Sequence, residues 1–159
     1  MRAPSGSYKS KTLATWIALV GGSLGLHRFY LHGLGDPWGW VFPLPTLIGL
    51  YGVQRMRALG ADDHIAWVCI PLLGLTLATS MIAAIVYGLT PDDTWNQRLN
   101  PNGPAHRTGW STIFGVVTAL VLGAGVLMAT LAFSAQRYFE FQAETELRSS
   151  NQFKRTAAG

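Results

Sequence analysis

The sequence predicts an all-α, polytopic membrane protein with four transmembrane helices, built as one membrane domain over residues 1–159. Three observations support this fold class. Hydrophobic residues make up 49% of the chain and charged residues only 13%, whereas soluble domains average about 25% charged. The apolar residues collect in four long runs, and the basic residues flank those runs, which is typical of membrane topology signals.

The four predicted spans are residues 13–31, 38–56, 65–89 and 110–133. Each approaches the roughly 20 apolar residues that cross a bilayer. The first run carries an n-region like that of a signal peptide, but HRFY follows it where small residues would mark cleavage, so we expect an uncleaved span. Pro43 and Pro45 interrupt the second run. They indicate either an unwound segment lining a polar cavity or a helix that begins at Pro45.

Lys and Arg positions predict the orientation. With the N-terminus inside, nine of the twelve basic residues face the cytoplasm, and only Arg28, Arg98 and Arg107 lie outside. This arrangement places both termini in the cytoplasm and the connection over residues 90–109 outside. We expect a cell membrane, the bacterial inner membrane, and a helical extension of the fourth span into water beyond residue 137.

The stretch GLHRFYLHG places polar residues near the end of the first run. On one continuous helix, Gly21, Gly25, Arg28 and His32 would form a single stripe that faces protein. Two interpretations of Arg28 stay open. It anchors a helix end by binding loop carbonyls, or it binds an anionic group, either a lipid phosphate or a partner carboxylate.

The other two polar residues of the stretch, His27 and Tyr30, would point away from this stripe, toward the lipid interface. The predicted lipid-, anion- or partner-binding residues are therefore Arg28, His32, His27 and Tyr30.

The segment GGSLGLHRFYLHG resembles the signature of the TM2 domain family, G-x-x-G-x-H-R-F-Y-L-G, and KSKTLATWIALV resembles its basic lead-in and first helix. The resemblance covers residues 9–60 and implies membrane location and a hairpin of two helices, with no reaction. His32 stands where the family has glycine. The acidic residue that usually ends the second helix is absent, and Asp36 is the nearest substitute.

Small residues at four-residue steps predict close helix packing in the second pair of helices, residues 65–148. Gly115, Ala119 and Gly123 form such a row on the fourth span, and Gly74 with Ala78 on the third. The partner of these rows is either another helix of this chain or a second subunit.

The sequence carries no zinc spacing, phosphate-binding glycine loop or nucleophile–base pair. Acidic pairs at residues 62–63 and 92–93 are typical of solvated helix ends rather than metal sites. We therefore expect no enzyme, no cofactor, no metal and no nucleic-acid partner. The favoured function is an accessory or scaffold subunit that binds a membrane protein or a second copy in the bilayer. The alternative is a small anion- or lipid-binding module, carrier or channel that uses the HRFY region.

Overall fold

The computed structural model describes residues 8–101 and 103–157, with side chains as far as Phe153. Helices account for most of this part of the chain, in which no strand occurs, so the all-α prediction is confirmed. The elements are α1 Lys11–Gly21, a 3-10 turn Gly22–Leu24, α2 Leu26–His32, α3 Pro37–Val41, α4 Pro43–Leu59, α5 His64–Leu89, α6 Asp92–Leu99 and α7 Trp110–Ala157.

Two of these helices are long and apolar enough to cross a membrane. They are α5 and the Trp110–Phe153 part of α7, which contain the third and fourth predicted spans. Length and composition alone are weak evidence for crossing, because a buried helix of a soluble protein has the same properties. By the same criterion, four spans are not shown.

The first predicted span is wrong as a single helix. Gly25 has a φ of 75°, a left-handed conformation that ends the helix, and the chain then turns back. As a result, the Ser10 amide donates to the Tyr30 hydroxyl at 2.8 Å, and Lys9 Nζ donates to the Tyr30 carbonyl at 2.6 Å. Both ends of residues 9–30 therefore lie at the same end of the bundle, in a helical hairpin.

The second predicted span is formed by α3 and α4 in succession. Phe42 between them has helical φ and ψ, so the helical path continues from Pro37 to Leu59. Pro43 occupies the first turn of α4, where a missing amide donor removes no helical bond. Neither proline leaves an unwound segment there.

Helix α5 lies at the centre and packs against α7, α4 and α1. Its first turn is capped by Asp63, whose carboxylate accepts from the Ala66 amide. Glycines let the neighbouring backbones approach: a Cβ on Gly49 would lie 2.3 Å from Leu73 Cβ, and one on Gly74 would overlap Thr130.

Among the described residues, the interior holds mainly small and polar side chains, and most large apolar side chains lie outside. The largest fully buried side chains are Lys11, His27, Thr15, Thr112 and Ser80. Six of the nine buried hydrophobic residues are alanine, and the other three are Trp67, Met81 and Trp95. Large hydrophobic residues are exposed along every long helix. A soluble domain has the opposite distribution, so this bundle suits a lipid environment better than water.

Helix α7 extends well past the bundle. Its 48 residues span about 70 Å at 1.5 Å per residue, whereas the 26 residues of α5 span about 39 Å. The predicted helical extension beyond Arg137 is therefore present.

Candidate functional site

Polar side chains collect at the end of the bundle where α1 begins, α2 ends and residues 90–109 lie. We call this cluster the polar cap. Its members are Tyr8, Lys9, Lys11, Arg28, Tyr30, Asp36, Asp92, Trp95, Asn100, His106 and Thr108.

At the centre of the polar cap is an ion pair between a buried lysine and a partly exposed aspartate. The Lys11 side chain is 2% exposed and that of Asp92 is 32% exposed. Lys11 Nζ lies 2.5 Å from Asp92 Oδ1 and donates to the Thr90 carbonyl at 2.9 Å. Thr108 donates to the Asp92 carboxylate through both its amide and its hydroxyl. Burial would raise the pKa of Asp92, but the hydrogen bonds from Lys11 and Thr108 outweigh burial and hold the pKa well below its usual value.

The backbone of Lys9 is held by α6 and the residue after it. The Lys9 amide donates to Asn100 Oδ1 at 2.8 Å, and the Lys9 carbonyl accepts from Asn100 Nδ2 and from Trp95 Nε1. Trp95 and Asn100 are themselves buried. Residues 90–101 thus hold the start of α1 in place through these hydrogen bonds.

A histidine links the next part of the connection to the N-terminal segment. His106 Nδ1 lies 2.8 Å from the Tyr8 hydroxyl, and Asn96 bonds both the amide and the carbonyl of His106. His106 Nε2 is buried and bonds no described residue. Burial lowers the pKa of His106, an effect that the Asp92 carboxylate opposes.

These contacts correct the predicted orientation. Lys9 and Lys11 were expected on the side of the membrane opposite to residues 90–109, but the structure joins them by direct hydrogen bonds. The Arg55–Asp63 pair lies at the other end of the bundle, where α4 ends and α5 begins. The positive-charge count misled the prediction because it assumed a full crossing by residues 13–31.

Arg28 contacts Asp36, the acid suggested as its substitute partner. Arg28 Nε donates to Asp36 Oδ2 at 2.7 Å, and His32 Nδ1 lies 3.7 Å from the same oxygen. Asp36 also accepts from the Trp38 amide and thereby caps α3. The Arg28 hydrogen bond holds the pKa of Asp36 below its usual value.

The other two predicted binding residues lie elsewhere than expected. His27 was expected at the lipid interface, yet its side chain is 2% exposed and packs against the rings of Phe42 and Tyr87. Tyr30 bonds the Ser10 amide inside the polar cap. Gly25 reverses the chain direction, so the stripe predicted for one continuous helix does not form. The prediction that the His27 side chain points toward lipid depended on that continuous helix and is wrong for the same reason.

All five predicted packing residues pack within this chain. A Cβ on Gly21 would meet Leu26, one on Gly25 the Gly39 carbonyl, one on Gly115 Thr15, and one on Gly123 Met81. Ala119 is fully buried. The sequence left open whether these small residues pack against another helix of this chain or against a second subunit. The structure supports another helix of this chain.

Sequence reasoning missed the residues that build the polar cap, chiefly Lys11, Trp95 and Asn100. One signal was available: GGSLG supplies three glycines within five residues in the middle of an apolar run. Glycine at such density indicates a possible chain reversal. A reversal there would have placed Lys11 on the same side as residues 90–109.

A groove of ≈ 520 Å³ opens beside the Lys11–Asp92 ion pair. Leu89, Ile113, Val116 and Val117 line its apolar wall, and Lys11, Asp92 and Thr108 line its polar end. In the described part of the chain, no group of three or more His, Cys, Asp or Glu side chains could hold a metal ion.

No family model matches this chain, and no curated protein or solved structure shows significant similarity to it.

Acidification should destabilise the protein. The pKa values of Asp92, Asp36 and Asp63 are held low in the folded state, so the stability from these carboxylates is complete above their unfolded pKa of about 4 and is lost as the pH falls below it. The measurement is the thermal unfolding midpoint in detergent between about pH 7 and pH 3. Asp92→Asn should flatten this profile, and a midpoint that rises on acidification would contradict the assignment.

Proposed function

We propose that this chain is an integral membrane protein that acts as an accessory or scaffold subunit, binding a larger membrane protein or a second copy. It would cross a cell membrane, by expectation the bacterial inner membrane, three times, through α3–α4, α5 and α7. Residues 11–32 would enter and leave on one side as a TM2-like re-entrant element. The interior of small and polar side chains supports the membrane setting.

The new topology places the basic residues evenly. Six precede or belong to the polar cap and its connections in the sequence (Arg2, Lys9, Lys11, Arg28, Arg98, Arg107), and six lie in the second halves of α4 and α7 (Arg55, Arg57, Arg137, Arg148, Lys154, Arg155). Charge counting therefore selects neither orientation. The proposal places Tyr8 and Phe153 on opposite sides of the membrane.

The observation that carries the proposed scaffold role is the uncovered side of α7. Only 11% of its apolar window is buried within the chain. We call the exposed row Phe114, Val121, Gly125, Met128, Ala132 and Phe139 the outer face of α7. Lipid can cover the part inside a bilayer, but the extension also exposes Leu147 and Phe153. Contiguous exposed apolar surface such as the outer face of α7 is typical of a protein–protein or membrane contact.

Two glycines two residues apart on α7 test this proposal. A Cβ on Gly125 meets nothing within 4 Å, whereas one on Gly123 would lie 2.8 Å from Met81. We expect Gly125→Leu to release a partner without lowering the unfolding temperature. Gly123→Leu should instead lower the unfolding temperature, because it separates α7 from α5, at a cost of about 1–3 kcal/mol.

The readouts are intact-complex mass spectrometry after purification from native membranes in mild detergent, and thermal unfolding of each variant. A wild-type protein that stays alone and monodisperse at every expression level would defeat the scaffold proposal. So would a Gly125→Leu variant that retains a stoichiometric partner.

Arg28 supports a second candidate function, the binding of an anionic group. Only its Nε bonds a described residue, and the adjacent His32 is exposed. Arg28→Ala should then lose bound anionic lipid while the fold survives. Unchanged lipid retention would remove this candidate. Pairing with Asp36 offsets the charge of Arg28, so the scaffold role remains favoured.

A further inference from the structure

Arg137 marks the level at which α7 leaves its apolar part. No charged residue precedes it in α7. Across from it lies Trp67, close to the start of α5, with its indole nitrogen donating to the Ala61 carbonyl at 2.6 Å. Trp and Arg at the ends of apolar helices are typical of the membrane–water interface, where lipid phosphates lie. This end is opposite to the polar cap.

The guanidinium group of Arg137 lies between two aromatic rings. Its Cζ is 5.2 Å from the Trp67 ring and 5.3 Å from the Phe133 ring. The side chain is 13% exposed, so the rings fix its position. Glu140 accepts a hydrogen bond from Nη1.

Two nitrogens of this guanidinium group bond no described residue. Nε is enclosed by the protein, so no outside group reaches it, whereas Nη2 keeps accessible surface. The donors of a charged group are almost always satisfied, so Nη2 calls for an acceptor from outside the chain. The Nη2 group is suited to a phosphate, which accepts short, charge-assisted hydrogen bonds from arginine.

An apolar groove begins beside the same aromatic ring. It has a volume of ≈ 290 Å³, lies between α5 and α7, and is lined by Phe133 together with Ile70, Pro71, Leu77 and Ala129. The groove is open rather than enclosed, and it follows the part of the bundle that is apolar on its outside. A hydrocarbon chain is the occupant that such a lining favours.

We propose that Arg137 binds the phosphate of a phospholipid whose acyl chain lies in the groove between α5 and α7. The charge of the headgroup matches the guanidinium group, and the groove supplies the apolar continuation. Glu140 holds the guanidinium group in place through Nη1 and leaves Nη2 for the lipid. This site is independent of Arg28 and of the scaffold role.

The test uses the full-length protein, purified in mild detergent and stripped of lipid. Phosphatidylglycerol, dioleoylglycerol and inorganic phosphate are added separately, and bound molecules are counted by native mass spectrometry. Arg137→Gln removes the charge, and Leu77→Trp fills the groove without changing Arg137. Arg148→Gln, at an exposed position further along the same helix, is the matched control.

We expect one phosphatidylglycerol on the wild type and on Arg148→Gln, and binding weakened about tenfold in Arg137→Gln. Leu77→Trp should also weaken it, which keeps the proposal testable if Arg137→Gln does not fold. Equal binding by the wild type and a folded Arg137→Gln would overturn the proposal. Equal binding of dioleoylglycerol would overturn the phosphate contact, and binding of inorganic phosphate alone would overturn the lipid.

Discussion

Replacing Gly25 with alanine is expected to destabilise the N-terminal hairpin more than any other single methyl addition. Its φ of 75° costs a residue with a side chain about 1–2 kcal/mol. The new Cβ would also lie 2.2 Å from the Gly39 carbonyl oxygen, which is backbone and cannot move alone. Such overpacking adds about 1–3 kcal/mol. The measurement is thermal unfolding in detergent, followed by tryptophan fluorescence.

Gly33 provides a control without the steric contact. Its φ of 86° is similar, and a Cβ there meets nothing within 4 Å, but its ψ of 174° places it in a region that is essentially restricted to glycine. Gly33→Ala should therefore show only a conformational cost, of about 1–3 kcal/mol. If both alanine variants unfold at the same temperature, the close approach of α2 and α3 at Gly25 is not a source of stability.

Breaking the ion pair between Lys11 and Asp92 is the second change with a large expected effect. Asp92→Asn leaves the buried Lys11 ammonium group without its partner, which costs about 3–5 kcal/mol. Lys11→Met should cost less, because the Asp92 side chain is 32% exposed and keeps its hydrogen bonds from Thr108. The double variant should lose much less than the sum of the two. A double-mutant cycle of unfolding free energies measures the coupling.

Asp93 is the control for the ion pair, since it is exposed and lies in the same first turn of α6. Asp93→Asn keeps the change in net charge but leaves the pair intact. We expect its effect to stay within about 0.5 kcal/mol. Equal losses in Asp93→Asn and Asp92→Asn would mean that overall charge, and not the ion pair, determines the result.

Apolar length was a good guide for the long helices and a poor one for the first run. It located α5 and α7 because each is a single uninterrupted helix. Residues 13–31 have the length for one crossing, but a window of mean hydropathy is insensitive to a chain reversal within it. The GGSLG glycines determine the path there through backbone conformation, which hydropathy does not measure.

That reversal accounts for the site residues that were misplaced. The direction of the His27 side chain was predicted by continuing the helix that precedes Gly25. Because the chain turns at Gly25 and a separate helix begins, that continuation does not apply to His27. Local reasoning succeeded where the partner was near in sequence, as for Arg28 and Asp36. It failed for Lys11 and Asp92, because their contact depends on the topology of the whole chain.

The Lys11–Asp92 pair also determines the order in which the molecule can be assembled. The two residues are 81 positions apart, so α1 is synthesised long before the carboxylate that neutralises its lysine. Burying an ammonium group without a partner is strongly unfavourable. The N-terminal hairpin therefore reaches its final position only after α5 and α6 have been made, so α1 is synthesised before α5 but is fixed in position after it.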